Sequence, residues 1–354
     1  MAINLTTKYS PLIDERFKHQ SITDAYSGKK YSFDGAQSIK VYTIDKVSLN
    51  NYNRAGTSGR FGTINELGDT IQTLTMSQDK AFTFSIDAGN AADQMNIKHC
   101  NEQLKSNWDE VCTPEVDKYR LLKWASGAGL GAINSTALAK ATVMEALMTA
   151  SAALSNKLVP KKNRVVFISE TVYIATKLAT EIVGIDSLGA KAITNGVVGH
   201  IDAMAIVPVP DSYLPKGVNF IIKYKDSTVD PMKLKTIRVQ KNPLGFDADV
   251  GECRFYHDSF VLDNKVYGIY VHAKSDALAL ALTNTANKIT FASTSSTGVK
   301  YTVDGSNPKT SPTVETILAA AYATGVTLTA GQSIRCYAYA ANYLNSPIME
   351  DSYQ

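Results

Sequence analysis

Pro114-Glu-Val-Asp-Lys-Tyr-Arg-Leu-Leu-Lys-Trp-Ala125 has the composition of a helix that begins at its proline. The first helical turn tolerates proline, since the N–H that proline lacks has no helical partner there. Glu115 and Asp117 place negative charge where the helix dipole favours it. Residues 87–111 are also helical in character, so Pro114 is expected to restart or kink one long rod.

The residues before this rod predict an extended arm. Residues 39–49 are rich in β-branched side chains, which is typical of a strand, and residues 50–62 form a glycine- and asparagine-rich loop. Residues 69–76 and 81–86 alternate polar and apolar side chains, and we expect them to pair as a hairpin across the turn at 77–80. Two strands alone are marginally stable in water, so the arm needs a partner surface.

Strand and helix patterns alternate after the rod, which indicates an α/β unit. The expected elements are an alanine-rich helix at 137–157, a buried strand at 161–168, a helix from its cap at Ser169 to about Val183, a strand pair with a glycine kink at 197–208 and a strand at 220–224.

Residues 233–275 change to an antiparallel pattern. Strands are predicted at 235–240, 254–262 and 266–273, with a hairpin turn beginning at Asp263. Such strands are suited to cover the long rod.

The composition changes again near Leu282. Charged residues become sparse, threonine, serine and alanine dominate, and the charges from residue 283 onward cancel. Short strands separated by turns predict a small β-sandwich.

The overall composition excludes several classes of protein to which the chain could belong. The 354 residues are 44% hydrophobic and 19% charged, which is typical of a globular rather than a disordered protein. The net charge of +3 gives no sign of a protein dedicated to nucleic-acid binding.

The four cysteines are scattered, so neither a disulfide framework nor a zinc site is expected. The first residues do not resemble a signal peptide, and no apolar run is long enough to span a membrane. Synthesis in a cytoplasm is therefore expected.

The order of these elements resembles the Hong Kong 97-type major capsid proteins of tailed bacteriophages. The matching stretches are Leu67–Ile86, Pro114–Arg120, Val197–Pro208 and Arg254–His272. The resemblance implies an α+β capsid core over residues 1–281. Its regions are an N-arm at 1–38, an E-loop at 50–86, a P-domain with a spine helix at 87–130 and 233–281, and an A-domain at 131–232.

The resemblance also implies a function. Pentamers and hexamers of the chain would close an icosahedral shell around a phage genome, and the protein would be located in the virion. The implied partners are further copies of the chain, a separate scaffolding protein, a portal and non-specifically packaged double-stranded DNA, with no membrane. An encapsulin-type nanocompartment shell is the first alternative, and a carbohydrate-binding surface protein is the second.

Residues 282–354 resemble the chitobiase/hexosaminidase C-terminal type of immunoglobulin-like domain. The phrase that carries this resemblance is Val299-Lys-Tyr-Thr-Val-Asp-Gly-Ser-Asn-Pro-Lys-Thr-Ser311. We expect an independent module that projects from the outer surface and can be removed without loss of assembly. Its tyrosines, Tyr301, Tyr337 and Tyr339 among them, are candidates for glycan stacking, although alternating aromatic residues in strands more often pack inward.

No motif in the sequence predicts catalysis, a cofactor or a metal. The five histidines form no ligand or base pattern. Gly127-Ala-Gly-Leu-Gly131 follows a helix and lacks the dinucleotide-binding spacing, so it is interpreted as a helix end. We therefore expect no enzyme.

The candidate contact residues lie in the glycine-rich loop. Arg54, Arg60 and Phe61 are expected to contact a neighbouring subunit. Glycines allow a backbone to lie flat against a neighbour, and the guanidinium fork of arginine suits carboxylates across an interface.

Overall fold

The fold was analysed on a computed structural model, which describes residues 20–28, 30–31, 33, 37–44, 46–47, 49–56, 59–62, 64, 66–93, 99–134, 137–179, 200–245, 247–274 and 278–353. Most of the expected N-arm, the predicted helix beyond residue 179 and the start of the predicted strand pair at 197–199 lie outside these residues.

The helices of the described residues include the long rod predicted from the sequence. They are α1 (Ala88–Asp93), α2 (Cys100–Asn107), α3 (Thr113–Gly127), α4 (Val143–Asn156) and α5 (Glu170–Lys177). A π-helical turn at Trp108–Cys112 joins α2 to α3, and Pro114 lies in the first turn of α3. The rod is thus continuous from Cys100 to Gly127 and changes its winding where proline removes a hydrogen-bond donor.

The strands of the described residues form six sheets. They are β1 (Ser38–Ile44), β2 (Asp69–Thr75), β3 (Gln78–Asp87), β4 (Leu130–Ile133), β5 (Arg164–Ser169), β6 (His200–Ile201), β7 (Met204–Val209), β8 (Val218–Tyr224), β9 (Thr228–Val229), β10 (Met232–Lys241), β11 (Ala248–His257), β12 (Phe260–Val261), β13 (Ile269–Ala273), β14 (Ala281–Thr285), β15 (Lys288–Ala292), β16 (Gly298–Thr302), β17 (Glu315–Leu318), β18 (Val326–Thr327), β19 (Ser333–Tyr339) and β20 (Met349–Ser352).

A six-stranded mixed sheet, in the order β4-β13-β8-β5-β7-β6, lies at the centre. Every residue of β5 is buried, as the sequence predicted. Because side chains alternate along a strand, Val166 and Ile168 pack against α4 and α5, while Val165 and Phe167 pack against α3. Helices therefore cover both faces of the central sheet. The predicted cap of α5 is confirmed, since Ser169 Oγ accepts a hydrogen bond from the N–H of Val172.

A three-stranded antiparallel sheet, β10-β11-β3, covers the rod. Its inner face contributes Cys253 and Phe255 to an apolar cluster with Cys100, Cys112 and Val116 of the rod. Three cysteines that are scattered in sequence thus share one cluster, and all four cysteine side chains are buried. Burial, followed by the charge of Asp249, raises the pKa of Cys100.

The predicted hairpin of residues 69–76 with 81–86 is wrong. β2 pairs with β1, and β3 pairs instead with β11 in a ten-residue register from Gln78↔His257 to Asp87↔Ala248. The chain leaves one sheet for the other at Ser77, whose N–H and hydroxyl both donate to Asp258. Pairing of β3 with a long strand that is distant in sequence is therefore favoured over the local hairpin.

The predicted turn at Asp263 is also wrong. Asp263–Gly268 form a 3-10 segment that leads into β13. β13 instead lies between β4 and β8 in the central sheet, where Ile269 and Val271 pack against α3. All its residues are buried, and such a strand requires cover on both faces.

The C-terminal residues form a β-sandwich. Its two sheets are β14-β15-β18 and β17-β16-β19-β20, and they enclose their own apolar cluster. Leu278 and Leu280 already belong to this cluster, so the packing of the module begins before the composition change near Leu282.

Candidate assembly surface

The arm is the antiparallel pair β1–β2 together with the segment that joins the two strands, residues 38–75. Of the 22 large exposed hydrophobic side chains among the described residues, nine lie in the arm: Tyr42, Ile44, Val47, Leu49, Tyr52, Phe61, Ile64, Leu67 and Ile71. Exposed apolar side chains concentrated in one segment indicate an interaction surface.

The arm tip, residues 50–62, has a defined shape. The N–H of Asn53 donates to the carbonyl of Arg60 (3.0 Å), and the side-chain oxygen of Asn53 accepts from the N–H of Gly56 (3.1 Å). Gly62 has a φ of +94°, and a Cβ there would collide with the side chain of Asn50. Gly62 therefore shapes a turn within the predicted glycine-rich loop.

The three predicted contact residues lie together on this tip. Arg54 and Arg60 are exposed, and the Arg60 Nε donates to the carbonyl of Gly56 (2.6 Å). Phe61 is 83% exposed and meets the ring of Tyr52 edge-on, with ring centroids 5.0 Å apart. The tip thus presents an aromatic pair beside two guanidinium groups.

Beneath the arm lies the junction, a buried polar cluster centred on Asp230. One carboxylate oxygen accepts from the indole of Trp124 (3.0 Å) and from the hydroxyl of Ser259 (2.5 Å). The other accepts from the hydroxyl of Thr228 (2.8 Å) and from the N–H of Gly28 (3.2 Å). A carboxylate with four donors is fully satisfied away from water.

Lys223 provides the opposite charge in the junction. Its Nζ lies 3.6 Å from Asp230, donates to the carbonyl of Tyr26 (2.9 Å) and lies 3.8 Å from the ring centroid of Trp124. Burial lowers the pKa of Lys223 to about 8, although Asp230 opposes that change. Burial alone would raise the pKa of Asp230, but Lys223 and the donors hold it below its ordinary value.

A second carboxylate attaches the N-terminal segment to the rod. Asp117 accepts from the hydroxyls of Ser21 (2.8 Å) and Thr23 (2.5 Å) and from the N–H of Ile22 (2.8 Å). Arg120 donates to Thr23 as well (3.0 Å). Asp117 is therefore a buried anchor, a role that its place near the helix N-terminus did not predict.

The base of the arm is attached by polar side chains. Asp258 accepts from the N–H (2.8 Å) and hydroxyl (2.9 Å) of Ser77, and its other oxygen accepts from the hydroxyl of Tyr119 (2.8 Å). The side-chain amide of Gln72 donates to the carbonyl of Val261 (3.0 Å) and accepts from the N–H of Asp263 (3.1 Å). The arm is thus fixed at its base while its apolar side chains remain uncovered.

The imidazole of His257 lies close to the junction among aromatic rings. It stacks on Phe255 (5.5 Å) and meets Tyr119 edge-on (5.2 Å), and no described residue forms a hydrogen bond with its two buried ring nitrogens. Burial, followed by the charge of Arg120, lowers the pKa of His257 to about 4. The imidazole is therefore neutral near neutral pH.

The tyrosines proposed for glycan contact do not share one face of the sandwich. Tyr301 is opposite Cys336 in the sheet, lies against the sandwich core and donates to Glu315. Tyr337 is buried, and Tyr339 is half-buried. Glycan contact by these residues stays a prediction.

Sequence reasoning missed the junction. The available signal was Lys223, a charged residue inside the apolar strand Val218–Tyr224, since a cation in a buried strand requires a partner. The identity of that partner, Asp230, depends on the fold.

Among the described residues, no group of three or more histidine, cysteine or acidic side chains is arranged to hold a metal ion. No helix in the described ranges has both the length and the apolar character needed to cross a membrane.

Comparison with known proteins gives a match in structure alone. No family model and no curated protein matches the sequence. A chain from Mycobacterium phage Che8 superposes with a TM-score of 0.64 at 14% identity, covering 76% of this chain and 96% of that one. A chain from the capsid of Cyanophage P-SCSP1u gives 0.63 at 13% identity, covering 76% and 93%.

A chain from the mature capsid of bacteriophage PhiM1 gives a TM-score of 0.62 at 9% identity and covers 77% of this chain and 92% of that one. This chain has a phage-capsid fold. The likeness spans nearly the whole of each phage chain, so it includes the complete architecture of those chains.

Proposed function

We propose that the chain is the major capsid protein of a tailed bacteriophage, with a structural rather than a catalytic role. The observation that carries this proposal is the shared fold, which extends over more than nine-tenths of each of the three phage chains described above. The protein would act as a building block of the virion shell.

The arm supplies a mechanism for assembly. Its exposed apolar side chains lose contact with water when they lie on a neighbouring subunit, at roughly 25 cal/mol per Å² of apolar area buried. Arg54 and Arg60 on the tip offer bidentate partners for carboxylates of that neighbour. Each contact is weak, but a closed shell engages many of them together, and multivalency makes the assembly stable.

The regional organisation follows the Hong Kong 97 plan in this proposal. The E-loop is assigned to the β1–β2 pair, so that it begins at residue 38 instead of residue 50. β3, which was expected in the E-loop, is assigned to the P-domain because it pairs with β11. The P-domain also contains the rod with β10 and β11, and the A-domain contains the central sheet with α4 and α5. Scaffolding protein, portal and packaged double-stranded DNA complete the expected partners.

The C-terminal sandwich is proposed to be an immunoglobulin-like domain on the outer surface of the shell. Two facing antiparallel sheets around one apolar cluster support this assignment. A glycan array with the full chain tests whether the tyrosines of this domain contact carbohydrate. Binding that Tyr339→Ala abolishes supports a glycan role, and absence of binding at millimolar affinity removes it.

Negative-stain microscopy and light scattering of the purified chain, with co-expressed scaffold where needed, test the proposed function. We expect capsomers or shells, and Phe61→Ser should reduce the assembled fraction, because it removes an exposed apolar side chain from the tip. Leu318→Ser is the control, since Leu318 is an exposed apolar residue of the sandwich, 58% exposed against 83% for Phe61. A chain that stays monomeric at high concentration contradicts the proposal, and particles filled with protein cargo instead of DNA would favour a nanocompartment.

A further inference from the structure

The sandwich is attached to the capsid core through exposed and partly buried polar contacts as well as through the chain. Residues 304–313 form a loop of the sandwich that reaches the end of the rod, and Lys309 lies at its centre. The Nζ of Lys309 donates to the carbonyls of Ser126 (2.6 Å) and Ala128 (2.9 Å). These carbonyls lie at the C-terminal end of α3, where the last carbonyl groups of a helix have no N–H partner within the helix.

The position of Lys309 is chemically specific. A cation is favoured at a helix C-terminus because the helix dipole places negative partial charge there. The contact between the sandwich and the rod partly buries the Lys309 amine, and this burial lowers the pKa of Lys309 to about 7. A lysine in a solvated turn would be exposed and would reach no helix end.

Two neighbours of Lys309 hold the next segment of the core. Asn307 and Thr310 both donate to one carboxylate oxygen of Asp263 (2.7 and 2.6 Å). Asp263 begins the 3-10 segment that leads into β13, the strand between β4 and β8. The same loop therefore contacts the end of the rod and the entry to the central sheet.

The last strand of the sandwich makes a third attachment. Glu350 pairs with Lys157, which follows the end of α4, and accepts from the hydroxyl of Tyr267 (2.5 Å). Nearby, a Cβ at Gly131 would lie 2.7 Å from the ring of Pro347, so this glycine permits close contact between core and sandwich. The side chain of Leu344 packs against the apolar cluster beneath α3.

We infer that the C-terminal sandwich is an intramolecular clamp, which holds the C-terminal end of the spine helix and the entry to β13 through Lys309, Asn307 and Thr310. The clamp is a property of the single subunit and does not depend on assembly. It revises the expectation of a removable decoration, because removal of the sandwich would uncover the carbonyls at the end of α3 and the carboxylate of Asp263.

Lys309→Met in the full-length, unassembled chain tests the clamp. Methionine keeps most of the side-chain volume but leaves the carbonyls of Ser126 and Ala128 without their donor. We expect backbone amide exchange at residues 121–131 to become roughly tenfold faster and the melting temperature to fall by roughly 2–4 °C. Lys300→Met is the matched control, because Lys300 lies in the same sandwich over the ring of Tyr339 and should leave exchange at 121–131 unchanged.

Thr310→Val is the milder second variant, in case Lys309→Met does not fold. It removes one hydrogen bond to Asp263 without altering a buried charge, and exchange around residues 262–273 should rise two- to fivefold. The clamp is overturned if both variants accelerate exchange only within residues 278–353, or if Lys309→Met and Lys300→Met behave alike. Neither result bears on whether the chain assembles, which the particle experiment measures separately.

Discussion

The arm tip and the junction place opposite kinds of side chain in opposite surroundings. In the junction, the charged pair Lys223 and Asp230 is fully buried, and hydrogen bonds satisfy both groups. At the tip, the aromatic Phe61 is 83% exposed. Contacts within a single subunit account for the junction, whereas the tip would gain such contacts only from a neighbouring subunit of the proposed assembly. The difference separates residues that maintain the fold from residues available for association.

Asp230→Ala should produce the largest effect, because it leaves Lys223 buried without a counter-charge. We expect the free energy of unfolding of the unassembled subunit to fall by about 3–5 kcal/mol in urea denaturation. Asp69→Ala, at an exposed carboxylate of the arm, should cause no measurable change. Equal losses in the two variants would break the distinction between junction and arm.

His257 should make the junction sensitive to acid. Its folded-state pKa of about 4 lies below the ordinary 6.5, so the unfolded chain binds more protons between these values. Its contribution to stability is therefore complete above pH 6.5 and decreases as the pH falls toward 4, by about 2.5 kcal/mol at pH 4.5. The charged groups that influence the ring are Arg120, Asp258, Lys80 and Glu115.

His257→Phe keeps the aromatic contacts and removes this titration. Denaturation at pH 7 and pH 4.5 should show a smaller loss of stability in the variant than in the parent chain. The other titrating groups are common to both proteins, so their effects largely cancel in the comparison. An identical loss of stability in the two proteins would mean that protonation of the His257 imidazole does not destabilise the folded state.

Deletion of residues 50–62 should have the smallest effect on the subunit and a large one on assembly. The described residues of the tip contribute to none of the buried apolar clusters, so the urea midpoint of the monomer should stay the same while the yield of particles drops. A glycine-serine segment of equal length is the control, and it should also fail to assemble if the side chains matter. An unfolded monomer would instead assign the tip to the core.

Local patterns predicted the elements that local physics determines. The apolar residues of β5 and the proline at the start of α3 were correctly interpreted, since both signals lie within a few residues. The partner of β3 could not be predicted, because its register with β11 depends on a strand that is distant in sequence. Lys309 was missed for a similar reason, since a lysine in a polar turn gives no indication that a helix end will bury it.

The pairing of β3 with β11 has a consequence during synthesis. Roughly 160 residues separate the ends Asp87 and Ala248, and a ribosome that adds about 5–20 residues per second needs about 8–30 s to translate them. For that time β3 has no strand to complete its sheet, and the apolar side chains of the arm have already emerged. The nascent chain thus passes through an interval of unprotected strand edges, in which a chaperone that binds extended apolar segments would determine the yield of subunits.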